Sequence, residues 1–476
     1  MPPFSYKQTI FILSLGLSAC AVGPDFVPPA APEVKNYTMT EMTTVLTAGG
    51  NEATQNIEIG QTVSSQWWQL FHSAQLNSVI TQALAHNQSL AAAKATLAVA
   101  EEAIRQAEGG LYPQIDANAG LQRSKLSTSF PASTLYSVGT TASYALDVFG
   151  GTRRTIEKQE ALAENQRYQL GAAYLTLTGS VVTQSIAVAS LRNQLAAAEG
   201  IVADDKKNLK LIQDEFQAGK AARSDVLTAE SQLANDLTQI APLQQQVSVA
   251  NHAITILVGQ FPGAWQPPKF DMKEFTLPAQ LPLSVPSELV HQRPDILAAE
   301  AQLHADSAAI GIAEAQMYPS ITLSGSVLFE SAAAGSLFSG TNFLWSLASG
   351  LTAPIFHGGE LESKKEQALD TFKASAATYQ QTVLQAFGQV ADTLRALQHD
   401  ADLLDAQKRA LDTANSALSL QRTSYGAGKS DVLQLLNAER SYQQALLGYV
   451  HAQGQRYEDT AQLFLVMGGG WWLVRG

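Results

Sequence analysis

The sequence predicts a mainly α-helical protein that also supplies strands to a membrane β-barrel, and three observations lead to this fold class. A unit of about 200 residues occurs twice. Each copy contains two long segments in which apolar and polar residues alternate, as they do in membrane strands. Each pair of segments is followed by a long helical stretch without proline, at 153–216 and again at about 360–425.

The internal repeat is indicated by landmarks that return in the same order. Tyr112-Pro113 recurs as Tyr318-Pro319 at an offset of 206 residues, and Ala218-Gly219-Lys220 recurs as Ala427-Gly428-Lys429 at an offset of 209. Alanine-rich helices can align by chance, but chance does not keep Tyr-Pro pairs and glycine turns in register. The sequence therefore predicts an internal tandem duplication.

The predicted organisation follows from this repeat and from the composition between and outside the copies. In chain order it comprises a lipoprotein signal peptide (1–19), an extended N-terminal arm (20–66), a first repeat (67–258) with strands at about 112–127 and 134–149, a proline-rich linker (259–292), a second repeat (293–468) with strands at about 319–330 and 341–356, and a C-terminal tail (469–476). The uncharged stretch 169–191 is long enough to span a membrane. Threonine, serine and glycine interrupt it, so we expect a helix buried against other protein.

The N-terminus resembles a bacterial lipoprotein signal. Lys7 precedes an apolar stretch, and small residues lead to Cys20, the only cysteine of the chain. We therefore expect Cys20 to carry a covalent lipid such as palmitate; an ordinary signal peptide with an incidental cysteine is the alternative. Ala21 after the cysteine resembles lipoproteins that are sorted to the outer membrane. One acyl chain anchors a protein only marginally, so a further membrane contact is expected.

The predicted strands show one apolar and one polar face. In the first copy Tyr136, Val138 and Tyr144 alternate with Ser137, Gly139 and Ser143; in the second copy the apolar positions are Ile321, Leu323, Val327, Phe329, Phe343, Trp345, Leu347, Leu351 and Ile355. A soluble sandwich would also alternate. An aromatic outer face over a small, polar inner face is instead typical of a water-filled membrane barrel, and strands of ten or more residues suit it.

Four strands cannot close a barrel. They leave two open edges, and in lipid an open edge leaves backbone N–H and C=O groups without partners. Several subunits must therefore share one barrel. Because the interior of an eight-stranded barrel is just filled by side chains, a homotrimer with twelve strands is the smallest symmetric arrangement that leaves a pore.

The helices are predicted to form a coiled-coil barrel. The helix returning from each long helix is shorter than the long helix itself, as in 222–258, and the helices at 90–108 and 296–315 can stack end to end with it. Apolar residues recur at three- and four-residue spacing, as in a packed interface: Leu227, Leu233, Leu237, Ile240, Leu243 and Val247. The turns at Gly219-Lys220 and Gly428-Lys429 then form the tips of the hairpins.

Composition excludes several function classes. Only 15% of the residues are charged, the net charge is −12 and no basic tract occurs, so nucleic acid is not expected as a partner. The eight histidines have no spacing that indicates a metal site. No convergent nucleophile and base can be placed, so we expect no enzymatic activity and no cofactor besides the lipid on Cys20.

Several short runs together resemble the outer-membrane factors of tripartite export systems, TolC-like proteins, in their NodT-type lipoprotein branch. The matching runs cover the mature chain and are Cys20-Ala21-Val22-Gly23-Pro24-Asp25-Phe26, Trp67-Trp68, Asp147-Val148-Phe149-Gly150, Arg293-Pro294-Asp295-Ile296, Leu435-Leu436-Asn437-Ala438-Glu439-Arg440 and Gly468-Gly469-Gly470-Trp471.

This resemblance implies a homotrimeric exit duct in the outer membrane of a Gram-negative bacterium. It would passively conduct small toxic compounds from a periplasmic adaptor (membrane fusion) protein and an inner-membrane RND-type pump, with outer-membrane lipid around its barrel. A conduit for protein secretion, or a periplasmic adaptor lipoprotein, are the alternatives. The paired hairpins and Ala21 argue against an adaptor, and the sequence does not identify the cargo.

The resemblance also implies an acidic gate near the tip of the second copy. Here the matching run is Gly428-Lys429-Ser430-Asp431, in which the aspartate follows the glycine after three residues, whereas it follows after two in some relatives. Asp225 is the corresponding candidate at the first tip. A threefold ring of Asp431 would favour cations; alternatively, Asp431 caps the returning helix.

Overall fold

The computed structural model describes residues 21–39, 45–46, 54–125 and 131–471. The described chain is mostly helical, at 65%, and falls into two compact units. Unit 1 contains residues up to Ala30 together with Ala95–Arg167 and Ala298–Gln381; unit 2 contains Ala31–Lys94, Tyr168–Leu297 and the residues from Thr382 onward. The predicted signal peptide and Cys20 lie outside the described residues.

The regular elements follow the predicted order. The strands are β1 (Val45–Leu46), β2 (Gln55–Ile59), β3 (Gln114–Ser124), β4 (Ser133–Leu146), β5 (Gln280–Leu283), β6 (Ser320–Ser331) and β7 (Phe343–Thr352). The helices are α1 (Ala74–His86), α2 (Gln88–Glu108), α3 (Gly151–Gln217), α4 (Arg223–Leu237), α5 (Ile240–Leu257), α6 (Pro286–Leu289), α7 (Pro294–Ala315), α8 (Glu360–Gly426) and α9 (Val432–Val466). The two long helices α3 and α8 have 67 residues each, which confirms their predicted extent.

Unit 1 is built around one antiparallel sheet in the order β3-β4-β6-β7. The two hairpins pair through β4 and β6, with Val138 opposite Phe329 and Tyr144 opposite Leu323. Four strands lie where they were predicted, but β3, β4 and β7 end three or four residues earlier than expected, whereas β6 ends at Ser331, one residue later. Asp147 leaves the ladder because its carboxylate accepts the N–H groups of Thr152 and Arg153, at 2.8 and 3.1 Å, at the start of α3. Pro354 has no N–H with which to extend β7 as far as Ile355.

The arm, which was predicted only to be extended, contains strands β1 and β2 and a docked segment. In unit 1, Val22 N–H donates to the carbonyl of Phe149 at 3.1 Å. The buried guanidinium of Arg154 donates to the carbonyls of Val22 and Gly23 and to Asp25, at 3.0, 3.2 and 2.9 Å. Residues 22–25 are therefore docked against the N-terminus of α3.

Unit 2 contains the main apolar core. Trp67 and Phe71 are fully buried, and Trp67 stacks on Phe464 of α9 at a ring distance of 5.2 Å. A small sheet, β1-β2-β5, covers this core and pairs the arm in parallel with the predicted linker, Ile57 opposite Leu281. The arm and the linker are thus parts of one folded element, which their sequences did not reveal.

The uncharged part of α3 lies in this core. Among the described residues, α3 is the helix that is long and apolar enough to cross a membrane by length and composition, and half of its most apolar window is buried in the protein. Val181, Val182 and Ile186 are fully buried in the core of unit 2. Burial against protein accounts for the lack of charge, as the sequence predicted.

The helix returning from α3 differs from the prediction, which made it continuous over 222–258. It is divided into α4 and α5 at Thr238 and Gln239. Pro242 has no N–H to offer to the carbonyl of Thr238, and the chain makes three-residue turns there instead. The predicted packing stripe is also not buried within the chain: Leu227 and Leu237 are exposed, while Val226 and Ala229 are buried.

Candidate functional site

The sheet of unit 1 has the two faces that the sequence predicted. The predicted apolar positions that lie within the four strands share one face through the observed register, with Val327 opposite both Thr140 and Trp345; Ile355 lies beyond the end of β7. This face is exposed: Trp345 is 71% and Leu347 80% accessible. An apolar face of this size is stable only against lipid or other protein.

The opposite face of the sheet is mostly polar, although it also carries Leu135, Leu328 and Leu344. Asn118 donates to the hydroxyl of Thr141 at 3.2 Å, and the hydroxyls of Ser326 and Ser346 lie 2.8 Å apart. Such side chains suit a surface that lines water. Among the described residues, β3 and β7 each pair with one strand, so both edges of the sheet are open.

The hairpin tips lie in unit 2, and their Ala-Gly-Lys runs are helix stops. Gly219 and Gly428 have φ angles of 73° and 68°, which side chains other than glycine rarely adopt. Lys220 N–H donates to the carbonyl of Glu215 at 2.8 Å, and Lys429 N–H to that of Ser424 at 2.9 Å. These bonds close the last turns of α3 and α8, and both lysines are exposed.

The two gate candidates both act as helix caps. Asp431 is the N-cap of α9, and its Oδ1 accepts the N–H of Gln434 at 2.8 Å. Asp225 lies at the third position of α4, where its Oδ2 accepts the N–H of Ala222 at 2.9 Å. Ala222 has no side-chain oxygen to return this bond. The capping alternative predicted for Asp431 is therefore observed, and Asp225 makes a comparable bond that was not predicted.

The two hairpins are joined near their tips. Ile212, Val226 and Ala229 of the first pack against Val432 and Leu436 of the second in a small apolar cluster. Tyr425 Oη of α8 donates to the carboxylate of Glu215 in α3. Burial and this carboxylate raise the pKa of Tyr425.

A buried polar junction links α3, α4 and α9 further from the tips. Gln443 of α9 donates to Asp205 of α3 at 2.9 Å, and Asn208 of α3 donates to Glu439 of α9 at 2.5 Å. Asp236 of α4 lies within hydrogen-bonding reach of Asp205. Burial raises the pKa of both Asp205 and Glu439. Sequence reasoning missed this junction; the signal that could have found it is that Asp205 and Asp236 are equally far from the turn.

The family comparison decides the identity. The model of the outer membrane efflux protein family matches residues 79–260 and again residues 285–469. The chain belongs to the outer membrane efflux protein family. It is an outer-membrane component of an efflux system in a Gram-negative bacterium.

Similar proteins agree with this assignment. The chain is 30% identical to the pyoverdine export outer membrane protein OpmQ of Pseudomonas aeruginosa, over 85% of this chain and 87% of that protein. It is 27% identical to the cation efflux system protein CusC of Escherichia coli, over 98% of this chain and 99% of that protein. Among solved structures, the outer-membrane channel OprN superposes with a TM-score of 0.85 at 26% identity, covering 95% of this chain and 100% of that chain.

Proposed function

We propose that this family member is the exit duct of a tripartite efflux pump and works as a homotrimer whose subunits share one twelve-stranded barrel. The observation that carries this proposal is the sheet of unit 1, which has an apolar face, a polar face and two open edges. Open edges in lipid would each leave a row of unpaired backbone groups. Pairing β7 of one subunit with β3 of the next removes all edges.

The size of the barrel follows from its interior. Eight strands leave space that side chains fill, whereas twelve leave a lumen. In the observed register the polar face, with Asn118, Thr141 and Ser326, would line that lumen, and the face with Trp345 would meet lipid. The structure-based similarity to an outer-membrane channel supports this orientation.

The proposed domain organisation is a tandem duplication of one hairpin-and-helix unit, bounded as 67–258 and 293–468. Two matches to one family model support it, as does the equal length of α3 and α8. The arm (20–66) precedes the first repeat, and the linker (259–292) connects the two repeats. Residues 1–19 are removed as a signal peptide, and 469–476 form the C-terminal tail.

We also propose that Cys20 carries the lipid anchor. Ala21 and Val22 are docked next to Phe149, at the end of β4, so an acylated residue before them would start beside the membrane sheet. The lipid and the strands then provide the two membrane contacts that stable anchoring needs.

The partners are proposed to be a periplasmic adaptor protein and an inner-membrane RND-type pump. The names of relatives include pyoverdine export and cation efflux, so related channels serve chemically different cargoes. This range supports a passive duct whose cargo is chosen by the pump, and export of small compounds in preference to proteins. Asp431, with Asp225, is proposed to narrow the tip aperture and to favour cations there.

Neighbouring residues of β7 provide the test, because they point to opposite faces. Leu347→Arg places a charge toward lipid and is expected to cost about 2–4 kcal/mol, abolishing the heat-modifiable trimer in the outer-membrane fraction. Ala348→Arg is the matched control: it leaves the trimer intact and lowers cation selectivity in planar bilayers. A purified protein that is monomeric and passes no current would overturn the proposal. So would loss of the trimer in Ala348→Arg with an intact trimer in Leu347→Arg.

A further inference from the structure

Two carboxyl groups meet inside the first hairpin. Asp205 of α3 is 4% exposed and Asp236 of α4 is 8% exposed, so both are withdrawn from water. Asp236 already accepts from Gln232 at 2.6 Å and from Gln239 at 3.2 Å, and Asp205 Oδ1 accepts from Gln443 at 2.9 Å. The remaining oxygen, Asp205 Oδ2, is buried and has no donor among the described residues.

A shared proton accounts for this orphaned oxygen. Two ionised carboxylates cannot hydrogen-bond to each other, because both only accept. With one proton between them, Asp205 Oδ2–H donates to Asp236, and every buried oxygen of the pair is satisfied. Like charges at this distance, out of water, also strongly favour a singly protonated pair.

The second hairpin contains a pair with the same register. Asp205 and Asp236 lie 15 residues before and 16 residues after Lys220, and Asp400 of α8 and Asp459 of α9 lie 29 before and 30 after Lys429. Asp400 Oδ2 is again buried without a donor in the described chain, and Asp459 is within hydrogen-bonding reach. The two pairs are therefore separated by 14 residues of helix, or about 21 Å along the hairpins.

Each pair is unique to its own hairpin. At the height of Asp205 and Asp236 the second hairpin has Ala414 and Ala445, and at the height of Asp400 and Asp459 the first has Leu191 and Ala250. At each of these two distances from the turn, one hairpin therefore packs without a carboxyl pair. The acidic pairs are thus additions to a hairpin that packs with small apolar residues.

Charged groups surround both pairs, and together with burial they determine in which direction the pKa of each pair is shifted. At Asp205–Asp236, the pair nearer the tips, Glu439 of α9 and Asp204 of α3 contribute negative charge. Arg422 of α8 is the facing cation and lies 3.4 Å from Glu439 and 3.5 Å from Asp204. Arg440 of α9 donates to Gln232. At Asp400–Asp459, the pair further from the tips, Arg456 and Glu458 face the two carboxyl groups. Burial, with the partner carboxyl next, raises the pKa of Asp205 to about 7 and that of Asp400 to about 8.

These pKa values lie above those of an unfolded aspartate, so the closed pairs are most stable at acidic pH. The stabilisation is lost as the pH rises through about 7 for Asp205 and about 8 for Asp400, and one proton leaves each pair. Deprotonation places a second negative charge against the first in a dry site.

We propose that Asp205–Asp236 is a proton-bridged latch that holds α3 to α4 within the first hairpin, where Gln443 of α9 also donates to Asp205, and that loss of its proton favours opening of the tip aperture. Asp400–Asp459 acts as a second latch, between α8 and α9 of the second hairpin. This rests on the proposed function, because it assumes that the two helices of a hairpin shift against each other when the duct opens.

The full-length trimer in planar bilayers tests the latch, with opening frequency measured between about pH 5 and 9. We expect the opening frequency of the unaltered protein to rise with pH up to about pH 7 for Asp205–Asp236 and about pH 8 for Asp400–Asp459, and then to level off. The rise is up to about tenfold per pH unit for each latch that must release its proton before the aperture opens. Asp205→Asn keeps the acceptor for Gln443 and gives Asp236 a permanent donor. Its opening frequency should no longer rise around pH 7, so that only the rise near pH 8 from Asp400–Asp459 remains. The double change Asp205→Ala with Asp236→Ala copies the Ala414–Ala445 pair and should also lose the pH dependence around pH 7.

A matched control and a second measurement keep the outcomes separate. Asp402→Asn removes an exposed charge from α8 and should leave the pH profile unchanged. Infrared difference spectra between the unaltered protein and Asp205→Asn should show the absorption of one buried protonated carboxyl at pH 6 that titrates near pH 7, while the absorption from Asp400 and Glu458 remains in both proteins. If the band is absent, or if Asp205→Asn keeps the normal pH profile, the latch is refuted. A trimer that shows the band but never conducts would refute the duct instead.

Discussion

The two returning helices occupy corresponding places in the two copies but are built differently. After α3 the chain returns as α4 and α5, with a break before Pro242; after α8 it returns as the unbroken α9, Val432–Val466, where His451 stands at the position of the proline. Position 247 is a valine, whereas its counterpart in α9 is the buried Arg456. The duplicated plan thus yields one segmented and one continuous rod, and only the continuous one is tied to the small sheet.

Substitution of Arg456 is expected to have the largest effect on stability of the changes that make one returning helix resemble the other. Arg456 is 1% exposed; its Nε donates to Gln55 Oε1 at 3.1 Å, and its Nη2 donates to the carbonyl of Leu46 at 3.2 Å. Arg456→Val, which copies position 247, leaves two buried acceptors without donors and should cost about 2–5 kcal/mol. The measurement is thermal unfolding of the purified protein.

Arg456→Lys separates charge from geometry. A lysine keeps the positive charge but cannot hold both acceptors in the planar arrangement of a guanidinium, so it should recover less than half of the loss. Arg409→Val is the control, because this arginine of α8 is exposed and pairs only with Asp405, its neighbour one turn earlier. An unchanged unfolding temperature for Arg456→Val would show that the small sheet is not held by α9.

Continuity of α9 is the next feature to break. His451 is exposed on α9, so His451→Pro removes a helix bond without disturbing a buried side chain and should cost about 3 kcal/mol. Pro242→His, the reverse exchange, should change stability by less than about 1 kcal/mol, because proline is tolerated in a first helical turn. Hydrogen exchange of Thr238 and its neighbours should slow in Pro242→His as α4 and α5 fuse. Equal losses for the two exchanges would contradict this asymmetry.

The sequence predicted best where a period repeats over many residues. Alternation placed the predicted apolar residues of β3, β4, β6 and β7 on one face, with Leu135, Leu328 and Leu344 on the other, and the absence of proline and the paired glycine turns predicted α3 and α8 to within two residues. Both signals are local, so they do not depend on what the segment packs against.

Features that depend on distant partners escaped prediction. β2 and β5 have five and four residues and lie more than 200 positions apart, so neither period nor spacing marks them as a pair. The apolar residues Leu227 and Leu237 predicted a packed stripe, but within one chain the neighbouring Val226 and Ala229 are buried instead. The proposed trimer offers a partner for the exposed stripe. Asp205 is a candidate site because it contacts Asp236 of α4 and Gln443 of α9, and neither contact can be recognised from the residues around Asp205 in the sequence.

The smallest expected difference concerns the caps at the two tips. Asp431 accepts from Gln434 as the N-cap of α9, whereas Asp225 makes a bond from the third position of α4 to Ala222. Asp431→Ala should cost about 1 kcal/mol, and Asp225→Ala about 0.5 kcal/mol or less. Asp431→Asn keeps the capping oxygen and removes only the charge. If Asp431 also narrows the aperture, Asp431→Asn leaves the unfolding temperature unchanged but raises the single-channel conductance and weakens block by divalent cations. If it is a cap alone, Asp431→Asn conducts like the unaltered protein while Asp431→Ala loses stability, so the two variants together assign each role.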